Sequence, residues 1–281
     1  MAITYYMLQI QPCYFFILIV MFGAIFGLIL TFLFNKYVKL KILRSHNEVT
    51  GFLFLSIASF YALLLSFIVL AVWGEFNETK GNVSKEGSSA MGLYRDIKFY
   101  PDTLESKQLM TVYLDFVYNV IDEEFPNMEH MKASRKTPES FNKVFYKMEH
   151  LNPKNSFQTQ LVAGMFYHLN ELAIYRGLRI TSMETEISPS MWLPMILGAI
   201  ITIICSILLD IEHIRMHMIL NSFLGAFIGM FLFIIILLDH PFSGTQGIKP
   251  KSYKEIFTME QWANEKTTNT ITTNKNKSNE N

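Results

Sequence analysis

At 281 residues, 51% of them hydrophobic and only 17% charged, the chain is too apolar for an ordinary soluble domain and too short for a large transporter. Its 24 Lys and Arg balance 24 Asp and Glu, which excludes the basic footprint of a nucleic-acid binder. Two cysteines, Cys13 and Cys205, exclude a disulfide framework and a CxxC metal pattern. Both sit at or inside apolar segments, where free Cys behaves as a small hydrophobe.

The first candidate membrane span is Tyr14–Phe34, an uncharged run. A signal peptide is not expected there, because a basic n-region and a small-residue cleavage site are missing and Lys36, Lys39 and Lys41 follow. The second is Gly51–Trp73, 23 residues without a charge. At about 1.5 Å per residue it spans roughly 34 Å, enough to cross a bilayer core of about 30 Å. It leaves through Trp73, an interfacial anchor type, into a polar stretch that stays compatible with helix. Two further runs follow late in the chain, at 191–209 and 218–238, separated by 210–217.

Residues 74–190 carry a helical rather than an alternating apolar pattern. Leu109, Val112, Tyr113, Phe116, Val120 and Ile121 recur at helical spacing and end near Phe125-Pro126. Thr137-Pro138-Glu139 predicts a helix start with Thr137 as its cap, and Phe141, Val144, Phe145 and Met148 mark the buried face. A last helix is expected over 156–184, with Leu161, Met165, Leu169 and Leu172 on one side, before Ser188-Pro189 breaks it.

The expected fold is therefore an all-α membrane protein. Four transmembrane helices form two hairpins, 1–73 and 191–239, with a helical extramembrane domain between them and a polar tail over 240–281 that is largely disordered. Residues 35–50 carry four Lys or Arg against one Glu, whereas 75–190 carry thirteen against sixteen. That asymmetry favours the short loops inside and the central domain outside.

Several patterns carry candidate function. Ser56, Ser59, Leu63 and Ser66 fall within about a third of the circumference of the second span, from a rotation of about 100° per residue. Such a stripe can line a pore, or it can be a packing seam whose hydroxyls bond to the helix's own carbonyls. Gly23-xxx-Gly27 and Gly225-xxx-Gly229 offer flat grooves for close helix approach, within or between subunits. Glu212, His213 and His217 have a spacing that can hold a metal, but they lie in a charged connector where a solvated turn is the expected outcome. Asp122-Glu123-Glu124 is an acidic cluster expected at a solvated surface. Asn77 and Asn82 head glycosylation sequons that carry no functional weight. Nothing pairs a nucleophile with a base, so no enzyme activity, cofactor or metal site is expected.

Four pieces together resemble the bestrophin-like domain family of bacterial and plant membrane proteins. They are His46-Asn47-Glu48 through Gly51 into Tyr61-Ala62-Leu63-Leu64-Leu65-Ser66-Phe67 and Val72-Trp73; Glu86 with Leu93-Tyr94-Arg95; Arg176 and Arg179 with Pro189 and Trp192; and Leu238-Asp239-His240-Pro241-Phe242-Ser243-Gly244. The one departure is Glu124-Phe125-Pro126, where the family more often has Glu-Trp-Pro. The resemblance implies a relation to bestrophins, oligomeric chloride channels whose second membrane helix lines a narrow hydrophobic neck. It also implies a cytosolic central domain, opposite to the charge count.

Glu86, Tyr94, Arg95, Arg176, Arg179, Trp192 and Asp239 are expected at one membrane face as a charge cluster. Asp239 and Glu86 are the natural partners of the arginines, since charges at a membrane boundary are costly unless paired. Such a cluster can be a structural clamp or an ion-selecting vestibule. The expected partners are the lipid bilayer, further copies of the chain and small inorganic ions. The functional expectation is an oligomeric ion channel, with a non-conducting scaffold or sensor as the rival.

Overall fold

A computed structural model describes residues 9–38, 46–101, 103–184 and 187–261. Among them every regular element is helical. In chain order these are α1 (Pro12–Tyr37), α2 (Asn47–Phe99), α3 (Leu104–Asn119), a π-helical turn (Val120–Glu124), α4 (Phe125–Glu129), α5 (Lys136–Glu149), α6 (Ser156–Glu184), α7 (Pro189–Ile207) and α8 (Ile214–Asp239). A last helix, α9, covers 251–261. The chain divides into two compact units, one of residues 1–78 and 185–247, the other of 79–184 and 248–281.

Among the described residues the first unit holds four helical segments long and apolar enough to cross a membrane, in α1, α2, α7 and α8. α1 leaves Ile17, Met21, Phe22, Ile25 and Phe32 exposed. So continuous an apolar surface is tolerable only against lipid or protein, and this is an integral, multi-pass membrane protein.

α1 packs along α8 through the two Gly-xxx-Gly pairs. A Cβ on Gly23 would fall on the Gly225 carbonyl oxygen, one on Gly225 on the Gly23 carbonyl, and one on Gly27 on the Asn221 carbonyl. Gly229 faces Ile19 in the same way. The partners step in opposite directions along the two helices, so these run antiparallel. The contact forms within one chain. Backbone proximity replaces the hydrophobic drive that lipid cannot supply.

Beside this seam the Asn221 side chain donates to Thr31 Oγ1 at 2.9 Å and accepts from Ser206 Oγ at 2.5 Å. His217 Nε2 meets the Ser206 carbonyl at 3.1 Å. This buried polar chain ties α1, α7 and α8. It also places His217 inside the helical unit rather than on a solvated turn, because the helix begins at Ile214, within the stretch expected to be a connector. Among the described residues no three or more His, Cys, Asp or Glu side chains gather as metal ligands. Asn47 makes a two-way contact with Asp210: its amide donates to the Asp210 carbonyl and accepts the Asp210 N–H, both at 2.8 Å.

α2 buries Tyr61, Leu65, Ile68 and Val72 against Met195, Ala199, Ile203 and Ile207 of α7. The Tyr61 ring lies where a Cβ on Gly198 would be, and its hydroxyl donates to the Met195 carbonyl at 3.1 Å. At the far end of α8, Asp239 accepts the Ile187 N–H at 2.7 Å, just before Ser188 caps α7. The turn after it closes at Gly244, whose φ of 72° suits a residue without a Cβ.

The second unit buries Leu109, Tyr113, Phe116 and Val117 of α3, Phe141, Val144 and Met148 of α5, and Met165, Leu169 and Leu172 of α6. Two expectations need correction here. Thr137 does not cap α5: the Ser134 hydroxyl receives the Thr137 N–H at 3.2 Å, while Thr137 itself is buried. The polar tail over 240–281, expected to be largely disordered, contains α9, whose Tyr253 and Ile256 are buried in this unit. Tail residues 262–281 lie outside the described residues.

Candidate functional site

Two sites follow from the sequence, one in each unit. The first is the stripe Ser56, Ser59, Leu63 and Ser66 on α2. At about 100° per residue it lies opposite the buried face of Tyr61, Leu65, Ile68 and Val72. Ser59, Leu63 and Ser66 are mostly turned out of the chain's own core and Ser56 is half-buried. The three hydroxyls donate to the carbonyls of Phe52, Leu55 and Ala62, at 2.9, 2.7 and 2.8 Å. Their protons are thus satisfied within the helix, as the packing-seam reading also expects.

The second site is a buried ion network. Arg179 projects from α6 into the core of its unit and is fully buried, as is Glu86 on α2. Its Nε donates to Glu86 Oε2 at 2.6 Å and its Nη2 to Glu86 Oε1 at 2.9 Å, a fork-to-fork pair. The same Nη2 also donates to Glu124 Oε1. Arg176, one turn earlier, holds Glu124 through Nη2 at 2.5 Å and Nε at 3.1 Å. From α9, Tyr253 donates its hydroxyl to Glu86 at 2.7 Å. Two arginines and two carboxylates cancel formally, which is the condition for keeping four charges out of water.

The π-helical turn explains how Glu124 reaches this network. The wider turn brings both Glu124 and its neighbour Phe125 inward, at 2% and 3% exposure. The Phe125 ring then lies 4.5 Å from the Arg179 guanidinium, and the Phe141 ring 5.5 Å from that of Arg176. The acidic run expected at the surface is split: Asp122 is exposed, Glu123 bonds Ser134 at 2.9 Å and Glu124 is buried. The signal available in the sequence is Pro126 after an acidic run, a place where the regular helix has to change.

Burial pushes the Glu124 carboxyl up, but Arg179 and Arg176 outweigh it and hold it below its ordinary value. The opposite balance holds Arg179 protonated: burial disfavours its charge, and Glu86 and Glu124 more than restore it. Burial and the nearby Glu86 push the Tyr253 hydroxyl well up, so it stays a donor. A carboxyl depressed in the folded state contributes stability that is complete above its ordinary value of 4.5 and lost as pH falls through the folded value. Thermal unfolding followed from about pH 6 to about pH 3 is therefore expected to show a steep acid limb that Glu124→Gln flattens.

The expected cluster of seven residues is distributed differently. Glu86, Arg176 and Arg179 come together, joined by Glu124 and Tyr253, neither of which belongs to the expected cluster. Tyr94 instead donates to Glu260 at 2.5 Å and accepts from Lys98 at 2.7 Å. Arg95 is exposed, with Asp96 at 3.8 Å. Trp192 packs on the core of the membrane unit. Asp239 receives the Ile187 N–H, and the arginines expected to pair with it take their carboxylates from Glu86 and Glu124.

An all-α, four-span membrane unit and a helical unit built on a buried Arg–Glu network define the class of protein. The sequence matches the Bestrophin-like domain family over residues 21–253, and the chain belongs to that family. Solved structures share the fold. A crystal structure of a bacterial Bestrophin homolog from Klebsiella pneumoniae, carrying a point mutation, has a TM-score of 0.58 at 14% identity, over 89% of this chain and 100% of that one. A second variant of that homolog gives 0.55 at 15% identity, over 88% and 96%. A crystal structure described as a membrane protein gives 0.55 at 15% identity, over 89% and 97%. No curated protein matches the sequence significantly.

Proposed function

We propose that the chain assembles with copies of itself into an anion-conducting pore lined by α2. One observation carries this reading: the face of Ser56, Ser59, Leu63 and Ser66 turns away from the chain's own core with its hydroxyl protons already satisfied. A membrane helix gains nothing by presenting serines to lipid. Around an axis they supply a polar wall, and Leu63 supplies an apolar constriction of the kind that gates by dewetting. Membership of the bestrophin-like family and a fold shared with a bestrophin homolog support the same reading. The α1–α8 seam closes to backbone contact and leaves no conduit along it, so this reading takes several copies arranged round an axis.

A second reading, a non-conducting scaffold whose helical unit binds a partner, has one observation in its favour. α6 exposes Tyr167, Ile174 and Leu178 on the side opposite its buried Met165, Leu169 and Leu172. A helix apolar on both sides is one that a partner covers.

Mass measurement of the detergent-solubilised protein, paired with chloride efflux from liposomes, separates the two. The channel reading expects an oligomer and efflux. A strict monomer contradicts it, and an oligomer without efflux favours the scaffold.

A further inference from the structure

In the second unit a groove of about 560 Å³ opens between the C-terminal part of α2, α9 and His168 of α6. Small residues allow the walls to meet: a Cβ on Gly87 would press on Ser252, and one on Gly92 on the His168 ring. Between them Met91, Phe99 and Met259 supply an apolar lining; Phe99 and Met259 are exposed. The volume falls in the range of small-molecule sites, about 300–1,000 Å³.

The polar groups in the groove are unequally engaged. Lys98 is held by Tyr94 and Glu260, at 2.7 and 3.1 Å. His168 Nδ1 is held by Asp96 Oδ2 at 2.8 Å. That leaves Arg95, whose side chain is 64% exposed and whose ion-pair contact is the other Asp96 oxygen at 3.8 Å, beyond hydrogen-bond length. Its guanidinium edge is open to receive an oxyanion through two parallel N–H donors, a geometry that a lysine does not offer. Glu255 is the acid among the lining residues.

We infer that this groove binds a small organic anion: an apolar, preferably flat body seated on Met91, Phe99 and Met259, with a phosphate or carboxylate on the Arg95 guanidinium. Glu255 on the same lining selects against ligands whose negative charge extends over the whole molecule. This inference goes beyond the channel reading and stands without it, because binding is measured without flux.

The test is calorimetric titration of the full chain in detergent with phenyl phosphate, inorganic phosphate and phenol, the last two each supplying half of the recognised chemistry. Saturable binding of phenyl phosphate is expected, with at least about tenfold weaker binding of either half-ligand, the loss of one good contact. Arg95→Gln, at an exposed position, should weaken phenyl phosphate by about tenfold, the worth of one charge-assisted hydrogen bond. Glu255→Gln should tighten it. No saturable binding of phenyl phosphate, equal binding of inorganic phosphate, or an affinity unchanged in Arg95→Gln would each overturn the assignment. A second, independent lesion at the apolar end, Met259→Asp, should abolish binding while the melting temperature stays that of the parent; retained binding would also count against it.

Discussion

Arg179→Gln is expected to destabilise the protein by about 3–5 kcal/mol, the cost of leaving buried carboxylates without their cation. Glu86 and Glu124 are both deep in the unit, and Arg179 bridges them. Arg176→Gln should cost less, since Glu124 keeps Arg179. Arg179→Lys should not rescue, because a single ammonium cannot reproduce three donor contacts made by a planar fork. Glu86→Gln added to Arg179→Gln should recover part of the loss, a coupling that independent sites do not show. Melting of the detergent-solubilised variants reads all four. An unchanged melting temperature in Arg179→Gln, or strict additivity with Glu86→Gln, would mean that the network does not hold this unit together.

The second large effect belongs to the membrane seam. Gly225→Leu places its first side-chain carbon on the Gly23 carbonyl oxygen, with backbone on both sides and no flexible group to yield. The helices must part, and overpacking of this sort costs about 1–3 kcal/mol or more. Separation would also stretch the bridge from Asn221, one turn earlier on α8, to Thr31 of α1. Gly74, where an added Cβ would meet nothing within 4 Å, is the control. There Ala should be neutral or stabilising by up to about 1 kcal/mol, the helix-propensity gain alone. A Gly225 variant that melts with the Gly74 variant would contradict the close seam.

Much of this architecture is legible in the sequence because lipid makes the rule severe: an uncharged run of spanning length has to be a helix. α6 runs over Ser156–Glu184, the range expected ahead of the break at Ser188-Pro189, and the expected Tyr14–Phe34 span grows by only two residues at its start and three at its end to give α1. What the sequence hides is whatever depends on a distant partner. Glu124 reads as part of a surface acidic run because its burial requires both a π turn and two arginines about fifty residues later. α9 reads as tail because Tyr253, Ile256, Phe257 and Met259 sit among charges in a short segment and make a weak periodic signal, yet Tyr253 finds Glu86 and Ile256 is fully buried. Charge alone pairs Asp239 with an arginine, whereas in the fold a backbone N–H answers it. The serine stripe is visible in the sequence, but only the packed face opposite it shows that the stripe points outward.

The central claim, a pore lined by that stripe, is tested most directly by current through planar bilayers. The measurement uses purified Leu63→Cys protein in a background lacking Cys13 and Cys205, with a charged thiol reagent added during recording. A chloride-selective current that reagent at residue 63 blocks or alters, while reagent leaves the cysteine-free parent unchanged, is the predicted result. A properly assembled protein that passes no current, or one whose current ignores modification of residue 63, would contradict it.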